Sequence, residues 1–205
     1  MSSATARAAQ DIAAARPHFV LDPAASPMRM PQGRRVGSAL DAAYGPDGHF
    51  WLLQEARADD PAMLPHVVEF DASGEYVGAW GSESAPVVGG VNQWPEGVEG
   101  IEVDAESNVW IFGYKANDHA VLKFSRQGEL LLRIGEHGVP GDDASRTHLN
   151  RPTTAYHDVA AREVFISDGY GNHRVVAFNS DTGEFTRMWG AYGRDPVGQP
   201  ADEAF

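Results

Sequence analysis

The sequence predicts an all-β fold of repeated four-stranded units, a β-propeller, and three observations carry that prediction. Glycine (22) and proline (13) punctuate the 205 residues so often that many short strands fit and a few long helices do not. Three apolar segments, His66-Val67-Val68-Glu69-Phe70, Ala120-Val121-Leu122-Lys123-Phe124 and Arg174-Val175-Val176-Ala177-Phe178, share one pattern, with their phenylalanines a constant 54 residues apart. Each is followed by a turn and a second alternating run, and these runs close at Gly81, Gly135 and Gly190.

Taken in chain order, Met1 to Pro17 is alanine-rich, and its one helix-friendly stretch, Ala4 to Ala15, offers little to bury. Residues 1–17 read as a flexible leader, with a short helix as the competing reading. Residues 18–205 read as one partial propeller, with blades at about 36–81, 98–135 and 151–190. In the first blade the turn signal Pro46-Asp47-Gly48 precedes the strand Phe50-Trp51-Leu52-Leu53; the turn Asp71-Ala72-Ser73-Gly74 then separates the two later strands. The second opens with Gly100-Ile101-Glu102-Val103-Asp104, turns at Glu106-Ser107-Asn108 into Val109-Trp110-Ile111-Phe112, and turns again at Ser125-Arg126-Gln127-Gly128. The third carries Val164-Phe165-Ile166-Ser167, and its last turn, Asn179 to Gly183, is one residue longer. Four short strands per roughly 50 residues is the signature of a propeller blade. A β-sandwich also has regular strands, but it does not require the same order of Phe, turn and Gly to recur at one interval.

Three blades make half of a six-bladed ring, and closed propellers have about four blades or more. Open sheet edges are a liability in water, so the expectation is a partial chain or self-association through those edges. His18-Phe19-Val20-Leu21 reads as a strand that would close the ring onto a last blade, and Gly198 to Phe205 as a loop leading toward a fourth.

Composition narrows the function classes. The absence of cysteine removes disulfide frameworks, thiolate metal sites and cysteine nucleophiles. Sixteen Lys and Arg against 29 Asp and Glu leave a net charge of −13, which argues against a phosphate-neutralising surface and so against nucleic acid as a partner. No apolar run approaches the roughly 20 residues of a membrane helix, and no secretory signal is evident, so no membrane partner is expected and the cytoplasm is the default compartment. No Gly-x-Ser-x-Gly, Walker or Rossmann fingerprint occurs.

The third blade carries a recognisable string. Arg151-Pro152-Thr153 opens it, and Ser167-Asp168-Gly169-Tyr170-Gly171-Asn172-His173-Arg174 spans a strand-to-strand turn. Asp-x-x-x-Asn-x-Arg at such a turn resembles an NHL repeat. The Pro-Thr opening with Ser-Asp-Gly-Tyr-x-Asn-x-Arg resembles more closely the peptidyl-α-hydroxyglycine α-amidating lyases and their bacterial relatives. The resemblance implies a propeller that splits a peptidyl-α-hydroxyglycine into a peptide amide and glyoxylate. It further implies a zinc ion held by histidines near the axis, a calcium ion held partly by backbone carbonyls, and a small-molecule or peptide ligand bound at the axis. A non-catalytic NHL propeller that binds a peptide or protein is the alternative.

Carried over residue by residue, the resemblance places Tyr170 at the catalytic tyrosine, a phenol that needs its pKa lowered by a neighbouring cation to act as base. The second blade opens Trp94-Pro95-Glu96-Gly97-Val98-Glu99-Gly100-Ile101, with Glu99 where the family has its first zinc histidine. Glu99 and Ile101 are thus the metal-binding candidates, Glu99 changing the charge and softness of the site. Arg57 falls within a few positions of the arginine that binds substrate carboxylate; a solvated loop arginine beside Asp59 and Asp60 is the alternative.

Other constellations read as structural. His49, His66, His119, His137, His148, His157 and His173 are scattered over the blades without a helical metal pair, and His119 and His173 read as turn or surface residues. Asp104, Asp158 and Asp168 sit near strand ends, where carboxylates accept backbone N–H bonds. Asp168, Asn172 and Arg174 read as a structural trio, and Gly141-Asp142-Asp143 as a solvated acidic loop.

Overall fold

The computed structural model describes residues 28–196; the leader 1–17, the segment His18–Leu21 and the tail Gly198–Phe205 lie outside the described residues. Alternating side chains turn each repeat into a four-stranded antiparallel sheet. The first holds β1 (Ala39–Tyr44), β2 (Phe50–Gln54), β3 (Val67–Phe70) and β4 (Tyr76–Trp80). A short hairpin, β5 (Val87–Val88) and β6 (Val91–Asn92), follows. The second sheet holds β7 (Val98–Val103), β8 (Val109–Gly113), β9 (Ala120–Phe124) and β10 (Leu130–Gly135). The third holds β11 (Thr154–Asp158), β12 (Glu163–Asp168), β13 (Arg174–Asn179) and β14 (Phe185–Trp189). Each sheet is a meander in chain order, and the first strand of the second blade, β7, lies against both β1 and β11. Side-by-side first strands in successive four-stranded meanders are the geometry of propeller blades around an axis.

The recurrent phenylalanine marks a recurrent backbone feature. Phe70, Phe124 and Phe178 all stand at the bulge of the hairpin between the third and fourth strands, where the register slips. In the first of these turns the Asp71 carboxylate accepts the N–H groups of Ser73 at 2.8 Å and Glu75 at 3.0 Å. Gly74 there has φ +85°, a left-handed conformation that glycine adopts without a Cβ penalty.

Two apolar seams hold the blades together. Trp51, Leu53, Val67 and Trp80 of the first blade pack on Ile101, Val109, Ile111, Leu122 and Phe124 of the second. Trp110, Phe112, Val121 and Ile134 of the second pack on Val164, Ile166, Val176 and Phe178 of the third. The same strand positions therefore face the next blade in both seams, which is what a repeating sequence requires.

Each blade also pins the segment that leads into its first strand, using a buried polar side chain at the far end of its second strand or in the loop that follows. Gln54 accepts from the Gly37 N–H. Asp118 accepts from Glu96 at 2.7 Å and Gly97 at 3.1 Å. Asp168 accepts from Asn150 at 2.7 Å. Asp168 also receives Asn172 Nδ2 at 2.8 Å and Arg174 Nε at 2.9 Å, so the trio is a buried, hydrogen-bonded unit.

Two expectations change and one element is new. The β5–β6 hairpin was not foreseen in the linker. His119 is buried, with its backbone carbonyl against Gly135; His173 is exposed, as expected of a turn residue. The acidic loop is tied down, since Asp143 accepts from the His173 N–H at 2.7 Å.

Candidate functional site

β7 does not run straight into its blade. Val98 pairs with Gly113 and Gly100 with Phe112, leaving Glu99 as the extra residue of a β-bulge. β1 has the matching irregularity, with Leu40 left between Ala39 and Asp41. Bulges re-aim side chains, and here the bulge places Glu99 toward the loop that joins β12 to β13. Tyr170 lies in that loop, and its hydroxyl donates to Glu99 Oε1 at 3.1 Å. The two residues come from different blades, 71 positions apart in the chain. They share one pocket with Asp41, Gly100, Thr153, Thr154 and Gly169.

The electrostatics of the pair run opposite to the expectation for a catalytic phenolate. The hydrogen bond to Glu99 and the charge of that carboxylate push the Tyr170 phenol above its ordinary range, and the Arg151 guanidinium opposes them. Near neutral pH Tyr170 is therefore a protonated donor. The second oxygen, Glu99 Oε2, is buried without a hydrogen-bond partner. Asp41 Oδ2 accepts the Ile101 N–H at 2.9 Å, which brings a second carboxylate to the same pocket. Burial raises the Glu102 carboxyl, with the Asp41 charge adding to it and a 3.1 Å bond from Thr154 opposing.

The structure thus brings Tyr170 and Glu99 together and sets Ile101 beside them through its backbone. Arg57 is placed elsewhere. It forks onto Asp59 at 3.1 and 2.9 Å and lines a neighbouring groove, not the Tyr170 pocket. The arginine at Tyr170 is Arg151, whose Nη2 donates to the Tyr170 carbonyl and which forms no ion pair among the described residues. Arg151 has φ +59°, a left-handed value uncommon outside glycine and held here by the pinned loop around it. Its place in the string Arg151-Pro152-Thr153 was the available signal; Asp41 had none beyond its position in the first strand.

Zinc and calcium were implied by the resemblance, so the donors present must be compared with those ions. The spare oxygen of Glu99 suits a cation, but the described residues contain no group of three His, Cys, Asp or Glu side chains that could hold one. No histidine lines the Tyr170 pocket. These residues alone do not make up the implied zinc site, and no step is derived through a metal.

Fold and site together define a β-propeller with a pocket, lined by Asp41, Glu99 and Tyr170, where the first strands of adjacent blades meet. The chain is 35% identical to rat peptidylglycine alpha-amidating monooxygenase over 94 residues, 44% of this chain and 9% of that protein. It is 29% identical over 85 residues to a probable peptidyl-alpha-hydroxyglycine alpha-amidating lyase of Caenorhabditis elegans, covering 40% of this chain and 22% of that one. The matched region thus spans about a tenth of the rat protein's length. No family model matches. Among solved structures, Kuenenia stuttgartiensis hydrazine synthase aligns with a TM-score of 0.48 and 10% identity, over 82% of this chain and 41% of that one. The propeller assignment rests on the blades themselves.

Proposed function

We propose that this chain contributes a site of the peptidyl-α-hydroxyglycine α-amidating lyase kind, in which Glu99 and Tyr170 move a proton on a substrate held by Arg151. The observation that carries the reading is the 3.1 Å bond between Tyr170 and Glu99, two residues that the resemblance singled out independently in separate blades.

Because Tyr170 is a protonated donor, it serves as a relay and not as a free base. The hydroxyl proton of the substrate passes to Tyr170 Oη as the phenol proton passes to Glu99. The carbonyl of glyoxylate forms while the bond between the α-carbon and the amide nitrogen breaks. The proton then returns from Glu99 through Tyr170 to the leaving nitrogen, so protons and charge balance. Arg151, adjacent and without an acidic partner among the described residues, is suited to a carboxylate. Zinc, where the rest of a ring supplied its ligands, would add Lewis-acid polarisation of a substrate oxygen.

A second reading is a propeller that binds its ligand without turnover. The raised pKa of Tyr170 favours it. The test is glyoxylate release from N-benzoyl-α-hydroxyglycine by the full chain, with and without added zinc, against Tyr170→Phe. Release that falls at least about a hundredfold in the variant, the lower end of the usual contribution of a positioned acid or base, supports the lyase. Saturable binding with no release supports the binding propeller.

A further inference from the structure

The pocket beside Tyr170 is built by three blades, and its least supported joint is the bulge that aims Glu99. A bulge leaves its extra residue outside the ladder, so the β7–β8 pairing does not by itself fix where Glu99 points. β7 is also the first strand of its sheet, so only one of its two edges is laddered. The segment around Glu99 is held from its other edge, by the two neighbouring blades.

From the first blade, the Asp41 carboxylate reaches over from β1. Its Oδ2 accepts the Ile101 N–H at 2.9 Å, two residues past Glu99, and its Oδ1 accepts the Ala42 N–H at 2.8 Å. From the third blade, Thr154 Oγ1 of β11 donates to Glu102 Oε1 at 3.1 Å. A Cβ on Gly100 would stand 2.7 Å from the Thr153 carbonyl oxygen, so glycine lets that blade's backbone close on the bulge. Asp41 and Gly100 occupy equivalent places, each re-entering register after the extra residue, Leu40 in β1 and Glu99 in β7. The first blade thus meets its neighbour with a carboxylate where the second meets its own with bare backbone. A charged acceptor makes the stronger bond, and here it is tied to the strand that carries Glu99.

We infer that Asp41 is a positioning residue for the Tyr170–Glu99 pair: by anchoring Ile101 across the seam between the first two blades, it fixes the bulge so that Glu99 meets the Tyr170 hydroxyl of the third. Asp41 lines the same pocket, but its carboxylate bonds to the Ile101 and Ala42 N–H groups, so it acts on the pair through the backbone. Its part in turnover rests on the lyase reading of the pocket; its part in forming the pair does not.

The test reads the pair directly, as the ring Cζ NMR resonance of Tyr170 in the full chain at neutral pH, assigned by its loss in Tyr170→Phe. Glu99→Ala gives the position of the unpaired phenol. Asp41→Ala is expected to move the resonance most of the way to that position. Asp41→Asn, whose amide oxygen still accepts the Ile101 N–H, is expected to hold it where the parent protein has it. Asp41 is exposed, so neither substitution opens a cavity. Equal shifts in the two variants would assign the effect to charge and not to position, and no shift in Asp41→Ala would free the bulge from Asp41; either result overturns the inference. In glyoxylate release, kcat is expected to fall on the order of tenfold to a hundredfold in Asp41→Ala, with KM little changed, and to return in Asp41→Asn. If neither the parent nor the variants release glyoxylate, the lyase reading falls, and the resonance still decides the role of Asp41.

Discussion

The end of β12 and the loop that follows it hold two constellations two residues apart that differ in burial and in bonding. Asp168 is wholly buried and fully bonded, to Asn150, Asn172 and Arg174. Tyr170 is 54% exposed and has one side-chain partner, Glu99, whose other oxygen is left unpartnered. One string of sequence thus carries both a brace and the proposed site. A saturated, buried carboxylate fixes the backbone so that its exposed neighbour can present an unsaturated pair to a ligand.

Removing the brace has the largest expected effect. Asp168→Ala leaves the Arg174 guanidinium buried without its counter-charge, at a cost of about 3–5 kcal/mol, read as a lower urea midpoint at unchanged slope. Asp118→Ala, in the equivalent role one blade earlier, orphans backbone N–H groups and no buried cation. Its cost is about 1–3 kcal/mol in the same measurement. Equal losses in the two variants would break the distinction between charged and neutral bracing.

Acid sharpens the comparison at the seams. Burial lowers the pKa of His66, His119 and His157 below the ordinary 6.5. The unfolded chain therefore takes up protons that the folded chain refuses, and stability is lost as pH falls from about 6.5 toward the depressed folded values. Asp104 adds a lower step. Burial raises its pKa, but bonds from Asn108 and Trp110 and the charge of Lys123 overbalance this and depress it below 3.8. Its contribution is present above 3.8 and disappears as pH falls through the folded value. Thermal melts from pH 8 to pH 3 check the order, and His157→Gln should remove part of the upper step only.

Glu99→Gln acts on the site and not on the brace. Without the carboxylate charge the Tyr170 phenol titrates at lower pH, seen as earlier phenolate absorbance in an alkaline titration referenced to Tyr170→Phe. An unchanged titration would dissolve the pair.

Sequence and structure agree where the physics is local and repeated. The constant interval of Phe70, Phe124 and Phe178 predicted three blades because each residue occupies the same bulged hairpin. The Asp168 trio was legible because its members lie within one turn. Burial of His119 was not, since the groups that surround it include His137 from the loop after β10 and Arg151 and Asp168 from the next blade. β5 and β6 are two-residue strands with Gly89 and Gly90 between them, too short to show a period. Glu99 and Tyr170 were singled out by resemblance alone, and their meeting depends on a bulge that no alternation pattern announces. Arg57 was singled out by a loose match of position, and which groove its loop borders is fixed only by the fold.

The most direct measurement sets stability and turnover of Tyr170→Phe side by side, using urea melts and glyoxylate release by the full chain. If Tyr170 is a site residue on a separate brace, the midpoint stays with the parent protein while release falls at least about a hundredfold. A variant that releases glyoxylate at the parent rate, or one that loses stability as Asp168→Ala does, would contradict it.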